Sequence, residues 1–295
     1  MRAIHRFLFF PAMLGAGVSL LAACGRSDAP SPSPSSSAGA ASAAVPGTAA
    51  PAHAATVADH GLPPDQASTS RYRIDIRYPA LPASAATLQR QLHATGTAAK
   101  REFMRGLPDP DRFPEFADRQ LTLKIDFTIA ARMPRFISVR EQGMADTGGA
   151  HPMPVDASFV YDTRADKVLA LADLFTQPDD VRRRLSELAR KQLETSLLAK
   201  VPGGARTSAE ARREWVDNMR GMIHDGTTPS AENFSQFVVL GGAGDRASGL
   251  QLIFSPYQVA PYVYGTQTVD VPVEAFADLL KPAYRDAFDG ADAGG

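Results

Sequence analysis

His151 and a run of tyrosines are the side chains best placed to do chemistry in this sequence. Gly148-Gly149-Ala150-His151-Pro152 reads as a tight glycine turn that presents one imidazole. Pro256-Tyr257-Gln258-Val259-Ala260-Pro261-Tyr262-Val263-Tyr264-Gly265 reads as a proline-braced loop. An imidazole could serve as a general base if a carboxylate such as Asp146 or Asp156 stood beside it. Tyr257, Tyr262 and Tyr264 on a stiff backbone suit recognition instead, because each combines a large apolar face, few rotors and a polar tip. The alternative for both segments is structural: a histidine capping a carbonyl, and tyrosines packing a sheet edge.

Other chemistries find little support. His53, His60, His93, His151 and His224 form no HExxH or HxH pair, so no metal site is expected. There is no Gly-x-Ser-x-Gly elbow. Gly241-Gly242-Ala243-Gly244-Asp245 falls between two apolar runs and reads as a hairpin loop, since no helix start follows it to hold a phosphate. Arg182-Arg183-Arg184 is offset by Asp179 and Asp180 and reads as a solvated helix face. The formal charge of −1 over 295 residues argues against a nucleic-acid partner. No cofactor is expected.

The one cysteine rules out an intramolecular disulfide framework and has a different use. Arg2 and Arg6 precede an apolar run from Phe7 to Ala23, broken by Pro11. The run falls short of the roughly 20 residues a spanning helix needs and reads as a signal peptide. It ends in Leu21-Ala22-Ala23-Cys24, a lipobox. Residues 1–23 are therefore expected to be removed and Cys24 acylated, giving a membrane partner through lipid. Two or more acyl chains make such an anchor stable. By resemblance to the sorting rule of diderm lipoproteins, Gly25 after the cysteine favours the outer membrane, with the chain facing the periplasm. Residues 24–70 are rich in Ser, Pro and Ala without apolar periodicity and read as a disordered tether. Its reach is on the order of 35–40 Å.

The elements that must position His151 and the tyrosines follow from residue 71. Tyr72, Ile74, Ile76 and Tyr78 alternate with charged residues, and a helix is expected over 84–105. Leu121, Leu123, Ile125, Phe127 and Ile129 make the clearest strand, with partners expected at 136–141, 157–161 and 168–171. Val181, Leu185, Ala189, Leu193 and Leu197 mark a helix. Thr207 and Glu210 form a capping box for the next. Strands are expected at 234–240, 250–254 and 268–271, and a closing helix over 274–280. Blocks of strands and helices predict an α+β fold, antiparallel sheets packed by a few helices. The expected divisions are a strand-helix subdomain over 71–118, an α+β domain over 119–288 and a tail over 289–295.

Gly148-Gly149-Ala150-His151, Phe159-Val160-Tyr161-Asp162 and the stretch from Leu169 to Phe175 resemble the "GGAH … F-x-x-D … L-x-L-x-D-L-F" pattern of domain of unknown function 3298. Phe254 to Tyr262, Gly265 and Val269-Asp270-Val271-Pro272 resemble its "F-x-P-Y-x-x-A-P-Y-x-x-G … V-x-I-P" ending. The resemblance covers roughly residues 70–285, the upstream part being similar to the companion, PdaC accessory-like domain. Pro152 stands where the family usually has glycine. The family includes the extracytoplasmic part of an anti-sigma factor that binds lysozyme, the RsiV-like group, and the accessory region of a peptidoglycan deacetylase. It implies an α+β domain outside the cytoplasm, in proteins concerned with the cell wall, and does not imply an activity. The reading is a lipid-anchored, non-catalytic binding module of the cell envelope, for lysozyme-like muramidases or peptidoglycan. His151, Tyr257, Tyr262 and Tyr264 would border its contact surface. The alternatives are an enzyme acting on wall polymer and a structural envelope-assembly lipoprotein.

Overall fold

Apolar residues at every second position build most of the strands, and apolar residues at every third or fourth build the long helices. The computed structural model describes residues 59–201, 208–242 and 244–291. The signal segment, Cys24, the tether as far as residue 58, Thr207 and residues 292–295 lie outside the described residues.

The first elements are β1 (His60–Gly61), β2 (Asp65–Ser68), β3 (Tyr72–Arg77) and β4 (Ala80–Leu81). The last part of the stretch assigned to the tether is therefore folded. β2 pairs antiparallel with β3, Asp65 opposite Ile76. Its sequence carries no apolar alternation because it is an edge strand held by polar contacts. Lys100 Nζ lies 2.6 Å from Asp65, and Gln66 Nε2 donates to Asp75 at 2.9 Å.

α1 (Ala86–Arg105) buries Leu88, Leu92 and Phe103. Gly96 faces Tyr78 so closely that a Cβ there would lie 2.3 Å from the tyrosine hydroxyl. The helix carries the chain across to β5 (Leu121–Arg132), which pairs parallel with β3, Tyr72 opposite Leu121. A parallel pair needs such a crossover, so this one pair departs from the antiparallel expectation. β6 (Phe136–Asp146), β7 (Met153–Asp162) and β8 (Lys167–Leu169) then continue antiparallel, giving the order β2-β3-β5-β6-β7-β8. The boundary expected at 118–119 falls between two strands of this one sheet.

α2 (Pro178–Leu198) buries Val181, Leu185, Ala189, Leu193 and Leu197, the whole expected stripe. Arg182 and Arg183 pair with Asp179 and Asp180, and Arg184 with Asp278. α3 (Ala209–Gly226) is capped by Ser208, whose Oγ accepts from the Ala211 amide at 3.1 Å. The cap thus lies one residue after the expected Thr207. β9 (Phe237–Gly241), β10 (Ala247–Phe254) and β11 (Gln267–Pro272) form a second sheet in the order β11-β10-β9. The glycine-rich stretch from Gly241 is the β9–β10 hairpin loop, closed by the Gly242 amide on the Arg246 carbonyl at 2.9 Å.

The closing helix expected over 274–280 is instead two 3₁₀ turns, Val273–Ala275 and Ala277–Leu279, followed by α4 (Pro282–Arg285). Val273, Phe276 and Leu279 are buried at a spacing of three, which fits a 3₁₀ repeat. The tail is packed as far as Ala291, which is buried, with the Asp289 amide on the Ala247 carbonyl at 2.8 Å.

Two cores result. One lies between α1 and the large sheet, around Ile76, Leu92, Ile125 and Val139. The other gathers α2, the small sheet and the chain end, around Leu185, Val239, Leu252 and Phe288. Edge strand β9 lies on the β6–β7 ribbon: the Phe237 amide donates to Ser158 Oγ at 2.9 Å and the Val239 amide to Ser138 Oγ at 3.1 Å. The two hydroxyls satisfy donors that an edge strand would otherwise leave open. They also bring the loop after β10 over the end of the β6–β7 hairpin.

Candidate recognition groove

The turn that carries His151 is shaped from below. Asp146 at the end of β6 accepts from the Gly148 amide at 3.0 Å and from Arg119 Nη2 at 2.7 Å. Phe116, in a 3₁₀ turn over Pro114–Phe116, lies under Gly148. His151 then meets the tyrosine loop. Its Nδ1 is 3.1 Å from the Pro152 carbonyl, and its Nε2 is 3.1 Å from the Tyr257 hydroxyl. A carbonyl only accepts, which assigns the proton to Nδ1. In the neutral ring Nε2 then accepts from Tyr257. The imidazole stacks on Tyr262, centroids 4.3 Å apart, and the Tyr262 hydroxyl donates to the same Pro152 carbonyl at 3.2 Å.

The loop opposite is pinned. Gln258 Nε2 donates to the carbonyls of Gly226 and Asn233, at 3.1 and 3.0 Å. Tyr257 has φ +72°, the left-handed region that a tyrosine rarely occupies. Its amide donates to the Ala260 carbonyl at 3.1 Å. This conformation turns the ring out toward His151.

His151, Tyr257 and Tyr262 therefore stand together, but Tyr264 does not join them. Its ring lies 6.4 Å from Trp215, with Lys200 Nζ 5.9 Å from the centroid. Tyr262–Tyr264 is a 3₁₀ turn, and residues two apart on such a turn point in different directions. Asp146 and Asp156 are occupied elsewhere: Asp146 by Arg119, Asp156 by Arg140 and Thr266. Both ring nitrogens of His151 are engaged by Pro152 and Tyr257, not by a carboxylate.

Beside the cluster runs an open groove of about 550 Å³. One wall is the end of the β6–β7 ribbon, where Gln142 pairs opposite Asp156 and Met144 opposite Pro154. The other wall is Pro256, Tyr262, Val263 and Thr266. At its base Arg140 Nη2 meets Asp156 Oδ1 at 2.8 Å, and Thr266 Oγ1 donates to Oδ2 at 2.9 Å. Around the groove and cluster stand Met144, Met153, Tyr257 and Val263, all exposed, Val263 at 83%. The sequence reading missed Gln142, Met144, Met153, Arg140, Val263 and Thr266. Met144 and Met153 flank the glycine turn and Val263 lies in the tyrosine loop itself, closely enough to have been found, but the other three are brought in by strand register and by the docking of β9.

On the opposite face of β6 lies Glu141, fully buried, with Oε1 unpartnered among the described residues. Burial pushes its carboxyl up to about 7, and the charge of Asp156 adds to the shift. Among the described residues no three His, Cys, Asp or Glu side chains gather to hold a metal ion, and no helix is long and apolar enough to cross a membrane.

A curated relative, the peptidoglycan-N-acetylmuramic acid deacetylase PdaC of Bacillus subtilis, is 24% identical over 186 residues, 63% of this chain and 34% of that protein. The chain thus spans about a third of that relative's length. A solved DUF3298 family protein from Pseudomonas aeruginosa is 16% identical, with 79% of this chain and 99% of that one covered and a TM-score of 0.49. A second, from Bacteroides fragilis, is 17% identical, with 77% and 96% covered and a TM-score of 0.45. The family model described as "Protein of unknown function (DUF3298)" matches residues 172–274, a span that includes the three tyrosines and begins after His151. Residues 172–274 of this chain are therefore similar to the DUF3298 family.

Proposed function

We propose that the protein is a non-catalytic recognition module of the cell envelope, held to the outer membrane through lipid on Cys24. Its contact surface is the His151–Tyr257–Tyr262 cluster with the adjoining groove. The observation that carries this reading is the exposed apolar rim of Met144, Met153, Tyr257 and Val263 around a rigidly braced aromatic cluster. Exposed apolar groups gathered in one place mark interaction sites. Rigid tyrosines lose little entropy on binding.

The ligands in view are lysozyme-like muramidases or peptidoglycan. Support for a wall-related ligand comes from the Cys24 lipobox, which would set the module facing the wall, and from the likeness to a protein named for peptidoglycan deacetylation. The engagement of His151 by Pro152 and Tyr257 favours binding over acid–base work. The test is calorimetric titration of the chain from residue 24, with Cys24→Ser, against c-type lysozyme and against muropeptides. Saturable binding to either supports the proposal. Silence with both overturns the named ligands and moves the weight to assembly with another envelope protein.

A further inference from the structure

The groove beside the tyrosine cluster has a chemistry more specific than that of an apolar patch. Its volume of about 550 Å³ falls among small-ligand sites, on the order of 300–1,000 Å³. Met144, Pro154 and Pro256 give it apolar walls, and Tyr262 adds an aromatic ring braced by His151. Asp156 is the contrasting group. Its side chain is only 6% exposed yet borders the groove, and both carboxylate oxygens are held, one by Arg140 and one by Thr266. A carboxylate has about four lone-pair sites, so each oxygen can accept one more hydrogen bond. Gln142, exposed on the same wall, offers a donor and an acceptor together.

The charges at the base already cancel, Arg140 against Asp156. A charged ligand would find its counter-charge taken. The ligand that fits is uncharged, has a flat apolar face for a tyrosine ring and carries hydroxyls for fixed acceptors. Resting on the recognition reading above, we infer that this groove binds an uncharged pyranose glycan, with Tyr262 as the stacking platform and Asp156 and Gln142 reading its hydroxyls. The openness of the groove suits a segment of a longer glycan strand.

The experiment is calorimetric titration of the purified protein with chitotetraose and with cellotetraose, two uncharged glycans that differ in their acetamido groups, with lysozyme run in parallel. Saturable binding of either sugar is expected. Tyr262→Ala should weaken it about tenfold, as loss of one well-placed aromatic contact does. Gln142→Ala and Val263→Asp change exposed positions and keep the test alive if Tyr262→Ala fails to fold. Gln142→Ala should weaken sugar binding by a factor of about 5, a typical lost hydrogen bond, and Val263→Asp should weaken it as well. No sugar binding by folded protein that still binds lysozyme overturns the glycan inference and leaves the recognition reading standing. Sugar binding that none of the three substitutions changes also overturns it, since the site would lie elsewhere. Silence with both sugars and lysozyme overturns the glycan inference and removes lysozyme from the ligands of the recognition reading, which the muropeptide titration then tests.

Discussion

Gly148 rests on the ring of Phe116: a Cβ built on the glycine would lie 2.6 Å from Phe116 Cε1, and the glycine has φ +90°. The turn that presents His151 is thus moulded on a residue from the segment before β5. Arg119, three residues after Phe116, fixes the same turn through Asp146. Recognition and scaffold meet at this contact.

Gly148→Ala should therefore act on both. An L-residue in the left-handed region costs about 1–2 kcal/mol, and the ring of Phe116 must also give way. We expect a melting temperature lower by several degrees and weaker ligand binding. Phe116→Ala should weaken binding too, because the turn loses its support. A Gly148→Ala protein that melts and binds like the parent would contradict this view of the turn.

Glu141 predicts an unusual pH dependence. Its ordinary value of 4.5 is raised to about 7 in the folded protein. The folded state then holds a proton that the unfolded state releases between those values. Stability from this group is full below about pH 4.5 and is lost as pH rises toward 7. Glu141→Gln removes the ionisation. The variant should match the parent near pH 4 and exceed it at pH 8, by up to about 3 kcal/mol. Denaturant unfolding at both pH values checks this, and parallel pH profiles for the two proteins would refute it.

Ser138 is fully buried, and its Oγ accepts from the Val239 amide. Ser138→Ala leaves that donor without a partner, a loss of about 1–3 kcal/mol. Hydrogen exchange should show the Val239 amide opening faster. Unchanged exchange at Val239 would mean that β9 is held without the serine.

Tyr257 separates stability from binding. Its φ of +72° costs a non-glycine residue about 1 kcal/mol or more. Tyr257→Gly relieves that strain but removes the ring and the hydroxyl on His151. The variant should be nearly as stable as the parent while binding ligand at least tenfold more weakly. A variant that binds fully would remove Tyr257 from the contact surface.

Much of the fold was legible because it is written in local periodicity. Leu121, Leu123, Ile125 and Phe127 alternate and are buried. Ile129, still in register opposite Val139, is exposed just before a register shift between Ile129 and Ala131. The stripe on α2 was plain for the same reason. What stayed hidden depends on partners distant in sequence. The parallel pairing of β3 with β5 is set by the α1 crossover, and β2 is polar because its partners are Lys100 and the side chain of Asp75. The site divides in the same way. His151, Tyr257 and Tyr262 stood out by type. Asp156 became part of a groove only once β9 docked on Ser138 and Ser158 and carried Thr266 to it. Tyr264 looked equivalent to its neighbours in sequence, and the 3₁₀ turn sent it to Trp215 instead.

The central claim is that the tyrosine cluster is a contact surface. The most direct test compares the parent with a Tyr257→Ala/Tyr262→Ala double variant in calorimetric titrations against lysozyme and muropeptides, with unfolding curves confirming that both are folded. The account predicts saturable binding by the parent and its loss, by at least about a hundredfold for two aromatic anchors, in a variant that remains folded. Equal affinity of the two proteins would contradict it.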